Sequence, residues 1–392
     1  MVVRAYKYRL YPNQEQAESF AKHFGCARVV YNWGLEQKSK AYSESKEKLT
    51  CFSLTNRLPE LKAEKPWLLE VNAQSLQMAL RNLDCAFTRF FNKNAKYPKF
   101  KKKKGKQSFQ CPQSCSVNFE NGLLQIPKVK NIKVKFHRIF DGKIKTVTIS
   151  KSPTDKYYVS FVVEQEGETP SLAPITENET IGLDVGLKDF LITSEGDKFS
   201  NPKHLRRSAR KLGRIQHALS RQQKGSKRYQ KRKKKLALLH EKVANQRKDF
   251  LHKVTHNLVS ENQATSYAIE DLAVSNMLKN HKLAKSISDA GWSMFFDFLQ
   301  YKSEWSGKNV LTIGRFEPSS KRCSACGCIN HSLTLKDREW TCIGCDTHHD
   351  RDVNAGKNIK IFALIKYLTS TQSTAGSAEP YTLRELGALA LA

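Results

Sequence analysis

The 392-residue sequence predicts a multidomain chain of the α+β class, and three observations carry that prediction. Apolar residues recur at three- and four-residue spacing between Gln14 and Phe91, which is the period of amphipathic helices. Short alternating runs separated by Asn, Asp and Gly turns fill residues 108–166, the pattern of antiparallel strands. Beyond an acidic Pro/Glu/Thr-rich stretch, apolar strand segments alternate with helical ones, as expected of a sheet flanked by helices.

The elements follow in order. Tyr6-Lys-Tyr-Arg-Leu-Tyr alternates as a short strand and stops at Pro12. Phe20, Phe24, Val29 and Trp33, then Leu76, Leu80, Leu83, Phe87 and Phe91, mark the buried stripes of a helical domain over 13–95, with Arg28 and Arg89 as candidate backbone contacts to a polyanion. Lys93 to Lys106 holds eight lysines and no acid, with Tyr97 and Phe100 interleaved, the composition of a phosphate-contacting loop. Ile132-Lys-Val-Lys-Phe, Val147-Thr-Ile-Ser and Tyr157-Tyr-Val-Ser-Phe-Val-Val-Glu then build an antiparallel sheet or barrel that the N-terminal strand completes.

The linker, placed at 169–179, opens a new domain. Thr180 to Leu187 reads as a buried strand and Phe190 to Phe199 as a hairpin continuing the meander. Lys203 to Lys253 carries 19 Lys or Arg against two acids and predicts two basic helices turning near Gly225; so few acids leave little intrahelical pairing, and a bound polyanion must relieve the repulsion. Strands at 265–272 and 310–316 bracket a helix with Trp292, Phe295, Phe296, Phe298 and Leu299. A last amphipathic helix spans 352–368, and 369–392 is expected to be a mobile tail. This order of strand, hairpin, helices, strand, helix, strand and helix is that of an RNase H-like α/β domain, by fold analogy.

Charge selects the partner class. With 67 Lys or Arg and 37 Asp or Glu, the net charge is +30, and nucleic acid is the polyanion that a soluble chain of this kind meets. A hydrophobic content of 39% excludes wholesale disorder. No run approaches the roughly 18–20 apolar residues of a membrane span, and the first residues lack a signal-peptide core, so a soluble, cytoplasmic, nucleoid-associated protein is expected.

Three acids stand out. Asp184 lies inside an apolar strand, where burial is costly unless a cation neutralises it; Glu270 ends the next strand and Asp352 opens the last helix. Hard oxygen ligands from separate elements suit Mg²⁺, and two such ions can drive phosphodiester hydrolysis. Asp271 and Asp350 compete for the same roles, and spacing does not choose among them. Cys323-Ser-Ala-Cys326 and Cys342-Ile-Gly-Cys345 are paired C-x-x-C knuckles of a four-thiolate Zn²⁺ site. Cys328, His331, His348 and His349 are alternative ligands, while Lys336 and Trp340 decorate and pack the ribbon.

These residues resemble the TnpB family, the transposon-encoded RNA-guided DNA nucleases related to type V CRISPR effectors, over about residues 3–368. The resemblance is carried by Tyr8-Arg-Leu-Tyr-Pro-Asn-Gln-Glu-Gln, Arg28-Val-Val-Tyr-Asn, Tyr97-Pro-Lys-Phe-Lys, Gly182-Leu-Asp-Val-Gly-Leu, Ile269-Glu-Asp-Leu, Ser319-Ser-Lys-Arg-Cys-Ser-Ala-Cys-Gly and Arg351-Asp-Val-Asn-Ala-Gly-Lys-Asn-Ile. It implies that Asp184, Glu270 and Asp352 are the RuvC-type catalytic acids and Mg²⁺ ligands. It also implies a RuvC-like nuclease domain over 180–316 and 350–368, a zinc-binding target-nucleic-acid-binding insertion at 317–349, and a split β-barrel wedge domain over 1–12 and 96–168 around a helical recognition insert. The implied partners are a guide RNA from the transposon end and double-stranded target DNA cut beside a short adjacent motif, with one chain per RNA. Phosphate contacts are expected from Lys101, Lys102, Lys103, Lys104, Arg206, Arg207, Arg210, Lys231, Arg232 and Lys233. Gly356 departs from the family, which often has alanine there, at a helix-propensity cost of about 1 kcal/mol. A strand-transferring transposase and a nuclease-inactive RNA-guided regulator are the rival readings. The guide-like basic surplus with the zinc ribbon argues against the first, and the presence of all three acids against the second.

Overall fold

Tyr6, Tyr8 and Leu10 alternate inward along β1 (Val2–Tyr11), and this period of two fixes the register of the first sheet. The computed structural model describes residues 1–334 and 336–374, which divide into two compact units, Met1–Glu168 and the chain from Thr169 on.

In the first unit β1 leads through the Asn13 capping box into α1 (Gln14–Ser45), and the helical segment continues as α2 (Cys51–Asn56), α3 (Leu58–Glu64) and α4 (Ala73–Phe91). Strands β2 (Gln107–Cys111), β3 (Ser116–Asn118), β4 (Leu123–Ile126), β5 (Val129–Lys135), β6 (Lys143–Lys151) and β7 (Tyr157–Gln165) complete a seven-stranded sheet in the order β2-β6-β7-β1-β5-β4-β3. The N-terminal strand therefore sits mid-sheet, antiparallel to β7 from Val2↔Gln165 to Leu10↔Tyr157 and to β5 at its far end. Phe20, Phe24, Leu76, Leu80 and Leu83 are buried in one core together with that sheet's inward side chains. Two positions differ from the expected stripe: Val30 is buried in place of Val29, and Phe91, the last residue of α4, is 71% exposed, its ring stacked on Phe87 at the open end of the helix.

In the second unit β8 (Thr180–Val185), β9 (Asp189–Thr193) and β10 (Lys198–Ser200) form an antiparallel meander. The basic segment forms α5 (His204–Ser220) and α6 (Lys227–His256), and then β11 (Ser266–Glu270) joins β8 in parallel. Short helices α7 (Val274–Met277) and α8 (Ala284–Ala290) and the longer α9 (Trp292–Trp305) return the chain to β12 (Asn309–Ile313), parallel to β11. A two-stranded ribbon, β13 (Glu339–Thr341) and β14 (His348–Asp350), runs directly into α10 (Arg351–Thr374). The sheet order is β10-β9-β8-β11-β12.

The two sheet faces differ in content. Ile181, Leu183, Tyr267 and Ile269 pack on Leu251, Trp292, Phe295 and Leu299 of the α6 and α9 layer. The alternate residues, Gly182, Asp184, Ala268 and Glu270, belong to the α10 face, where Ala268 and Ile313 meet Ile359 and Ala363. Helix α10 runs to Thr374, so it takes in the start of the expected tail; 375–392 lie outside the described residues. No helix among the described residues is long and apolar enough to cross a membrane.

Candidate nuclease centre and cysteine ribbon

Small residues let α10 approach the sheet. A Cβ on Gly182 would stand 1.9 Å from the carbonyl oxygen of Gly356, so here strand and helix touch backbone to backbone. Gly182 lies two residues before Asp184, on the same strand face, and Gly356 lies one helical turn after Asp352. The glycine pair thus brings Asp184 and Asp352 to a common end of the sheet. The parallel register Ile269↔Leu183 places Glu270 beside Asp184.

Burial and the neighbouring carboxylates of Glu270 and Asp352 push the half-buried Asp184 carboxyl well above the usual range, against the pull of Arg351 and Arg338. Glu270 Oε1 accepts from Ser319 Oγ at 2.6 Å, and Asp352 Oδ2 accepts from Arg338 Nη1 at 3.0 Å. The competing acids are otherwise engaged. Asp271 Oδ2 pairs with Arg315 Nη2 at 2.5 Å. Asp350 Oδ1 caps α10 by accepting from the backbone N–H of Asp352 and Val353 at 3.0 and 3.1 Å, while its Oδ2 pairs with Lys198 at 2.5 Å. Burial opposes the ionisation of Asp350, but the bonds from Lys198, Val353 and Asp352 outweigh it and hold its pKa below the ordinary value.

The four knuckle cysteines bring their sulfurs within 4.8 Å of one another, the one such gathering of candidate metal ligands among the described residues. Cys323–Cys345 and Cys326–Cys342 sulfur separations are 3.7 and 3.5 Å. A tetrahedral Zn²⁺ with sulfurs at about 2.3 Å sets edges of roughly 3.8 Å, so the quartet fits that ion. Both knuckles turn through a left-handed residue, Gly327 at φ +78° and Asp346 at φ +54°. Hydrogen bonds from Thr347 to the Cys345 sulfur bring that thiol down to about 6, which favours the thiolate a metal needs.

Cys328 and the three histidines lie outside the quartet. His349, 7% exposed and packed on Trp340, places Nε2 3.0 Å from Cys323 Sγ, where it can donate to a ligating thiolate. His348 faces Thr341. Sequence reasoning passed over Arg338 and assigned no role to Ser319, Asn354 and Asn358, which it quoted only within the motifs that carry the resemblance; the i, i+4 spacing of the two asparagines was a further signal.

The expected phosphate contacts are distributed over both units. Lys101, Lys102, Lys103 and Lys104 are exposed on the loop before β2, and Lys101 lays its ammonium 3.7 Å from the Tyr31 ring centre and bonds Asn32 through its backbone. Arg28 lines a cavity of about 340 Å³ with Lys101, Lys106, Asn82 and Gln110. In the second unit Arg206, Arg207, Arg210, Lys231 and Lys233 are exposed and Arg232 is half-buried. Lys188, Lys203, Arg206 and Lys285 line a cavity of about 400 Å³.

Family models match three stretches: 160–281 to one described as a probable transposase, 1–47 to a helix-turn-helix domain, and 292–359 to a Cas12f1-like TNB domain. The 1–47 stretch folds here as strand β1 and the single helix α1, without an internal turn. A Streptomyces pristinaespiralis protein named "Putative RNA-guided DNA endonuclease" is 40% identical over 364 residues, covering 91% of this chain and 89% of that one. The Escherichia coli (strain K12) protein "Putative RNA-guided DNA endonuclease InsQ" is 33% identical over 374 residues, 91% of each chain. Among solved structures, the Cas12f1 chain of a Cas12f1–sgRNA–target DNA complex aligns with a TM-score of 0.56 at 16% identity, over 89% of this chain and 83% of that one, a likeness of fold. With 40% and 33% identity to relatives over 91% of its length, the chain belongs to the TnpB family.

Proposed function

We propose that the protein is an RNA-guided DNA endonuclease, which binds a guide RNA derived from a transposon end and hydrolyses complementary double-stranded DNA beside a short adjacent motif. One observation carries this: Asp184, Glu270 and Asp352 meet at one end of a sheet, in a chain 40% identical to a relative bearing that name. The strand order β10-β9-β8-β11-β12, a meander with two parallel strands added beside its first, supports an RNase H-like, RuvC-type nuclease domain. The mid-sheet β1 with helices inserted before β2 supports a wedge domain carrying a recognition insert. Residues 317–349 are then the zinc-bearing target-binding insertion, with Cys323, Cys326, Cys342 and Cys345 as ligands.

Asp184, Glu270 and Asp352 are oxygen donors that suit Mg²⁺ and would hold it, two ions being expected. Bound there, Mg²⁺ supplies an activated water and charge neutralisation at the phosphodiester. The chain's own residues do the rest. Asp184, crowded by two carboxylates, gives the site its affinity for a cation. Arg338, 48% exposed at its pair with Asp352, offers a fork of donors to an incoming phosphate. Lys102 to Lys104 and the exposed arginines and lysines of α5 and α6 offset the charge of RNA and target, so affinity falls steeply with salt. Base pairing reads sequence while the protein reads duplex shape and a short motif, as in other RNA-guided effectors.

Strand transfer by a transposase is the second reading, favoured by the description of the model matched over 160–281. The two separate on whether a discrete RNA copurifies and whether a plasmid matching it is cut in Mg²⁺ by wild type and spared by Asp184→Ala.

A further inference from the structure

Ser319 lies between β12 and the first cysteine knuckle and is 7% exposed. Its hydroxyl donates to Glu270 Oε1 at 2.6 Å, and its carbonyl accepts from Asn358 Nδ2 at 2.7 Å. The same amide donates to the Arg322 carbonyl at 2.6 Å. One turn earlier on α10, Asn354 donates to that carbonyl at 2.7 Å and accepts from the Ser324 N–H at 2.9 Å. Asn354 and Asn358 are 2% and 1% exposed, so water does not substitute for these bonds.

The bonds form one path. Helix α10, which carries Asp352 at its start, clamps the 319–324 segment through two buried amides, and that segment in turn grips the carboxylate at the end of β11. A glutamate at a strand end has three rotatable side-chain bonds and samples many rotamers; a fixed hydroxyl on one oxygen selects among them. Donation to Oε1 leaves the carboxylate's remaining lone pairs for a cation.

We propose that Ser319 is a positioning residue for Glu270: its hydroxyl, fixed by the Asn354–Asn358 clamp, holds the carboxylate in the orientation that binds the catalytic cation. This rests on Glu270 being a metal ligand of the nuclease centre. Loss of an outer-shell partner of this kind typically weakens metal binding by about 10–100-fold.

The test uses the full chain with its copurified RNA and a phosphorothioate-protected target, titrated with Mn²⁺ and followed by electron paramagnetic resonance. Zn²⁺ content is measured alongside. The sites of interest are those that Asp184→Ala removes. Ser319→Ala is expected to weaken Mn²⁺ at these sites by about 10–100-fold with Zn²⁺ retained, and Ser319→Thr, which keeps the hydroxyl, to bind like wild type. Wild-type Mn²⁺ affinity in Ser319→Ala overturns the proposal. So does equal weakening in both variants, which would assign the effect to packing, or loss of Zn²⁺ from Ser319→Ala, which would assign it to folding of the ribbon. A wild-type complex with no Mn²⁺ site sensitive to Asp184→Ala overturns the nuclease function itself, an outcome distinct from unchanged binding in Ser319→Ala alone.

Discussion

Alanine at Gly182 puts a Cβ 1.9 Å from the Gly356 carbonyl oxygen and 2.9 Å from the Gly356 carbon and the Lys360 nitrogen. All three neighbours are backbone, so no side chain can swing aside. Carbon and oxygen need roughly 3.3 Å, and α10 must therefore retreat from β8 by roughly 1.4 Å. The strand has little freedom to yield instead, because Gly182 N–H and C=O are bonded to Ser194 at 3.1 and 2.8 Å. Overpacking of this kind costs about 1–3 kcal/mol, which for a domain of this size is roughly 2–4 °C in Tm per kcal/mol. Function suffers more than stability, because the displacement falls between Asp184 and Asp352, and misplacing reacting groups by about 1 Å costs on the order of 100-fold in rate. Gly182→Ala is thus expected to cut a guide-matched plasmid about 100-fold more slowly, with a lowered Tm and unimpaired RNA binding. Gly356→Ala meets its nearest neighbours only at 3.0–3.2 Å and gains about 1 kcal/mol of helix propensity, so its loss is smaller. A Gly182→Ala protein with wild-type Tm and cutting rate would refute the close-approach reasoning.

The remaining predictions concern the ligand sets and pH. Asp271→Ala removes only a half-exposed pair with Arg315 worth about 0–1 kcal/mol and leaves cleavage at the wild-type rate, whereas Glu270→Ala abolishes it; gel assays of the two variants decide. Cys342→Ser loses one Zn²⁺ per chain by elemental analysis, since three thiolates no longer close the tetrahedron. His23, 1% exposed, donates from Nδ1 to the Ser19 carbonyl at 2.8 Å and accepts at Nε2 from the Asn72 N–H at 3.2 Å, so it is buried neutral. Burial lowers its pKa below the ordinary 6.5, so on acidification the unfolded chain takes the proton first. Its contribution is complete above 6.5 and is lost as pH falls below that value, by up to about 1.4 kcal/mol per pH unit. His23→Gln should flatten the fall in urea midpoint between pH 7 and 5.5, and parallel profiles would contradict it.

Local patterns were legible where the physics is local. Two C-x-x-C pairs announce a thiolate site because each knuckle closes on its own backbone, and the period of two in β1 and the helical period around Phe20 and Leu80 follow from burial on one face. Asp184 was visible as an acid inside an apolar strand. Features set by distant partners were not legible. Arg315 engages Asp271 from 44 residues away and Lys198 engages Asp350 from 152, so spacing alone could not separate these acids from their neighbours. Val29 lies outside the core for a local reason, since nine residues after Phe20 it falls on the opposite face of a helix with 3.6 residues per turn. Gly356 reads in sequence as a weakened helix and becomes intelligible only against the end of β9, where a Cβ would meet Ser194 and Thr193 at 3.0–3.2 Å. The same holds for Ser319 and the asparagine clamp, whose bonds join β11, the ribbon entry and α10.

The most direct test is cleavage by the purified complex. The protein is isolated with its bound RNA, the RNA is sequenced, and a plasmid carrying the matching target is incubated in Mg²⁺ with wild type and with Asp184→Ala. Linearised plasmid with wild type, intact plasmid with the variant and equal target binding by both is the predicted result. Intact plasmid in both despite binding would contradict a nuclease built on Asp184, Glu270 and Asp352.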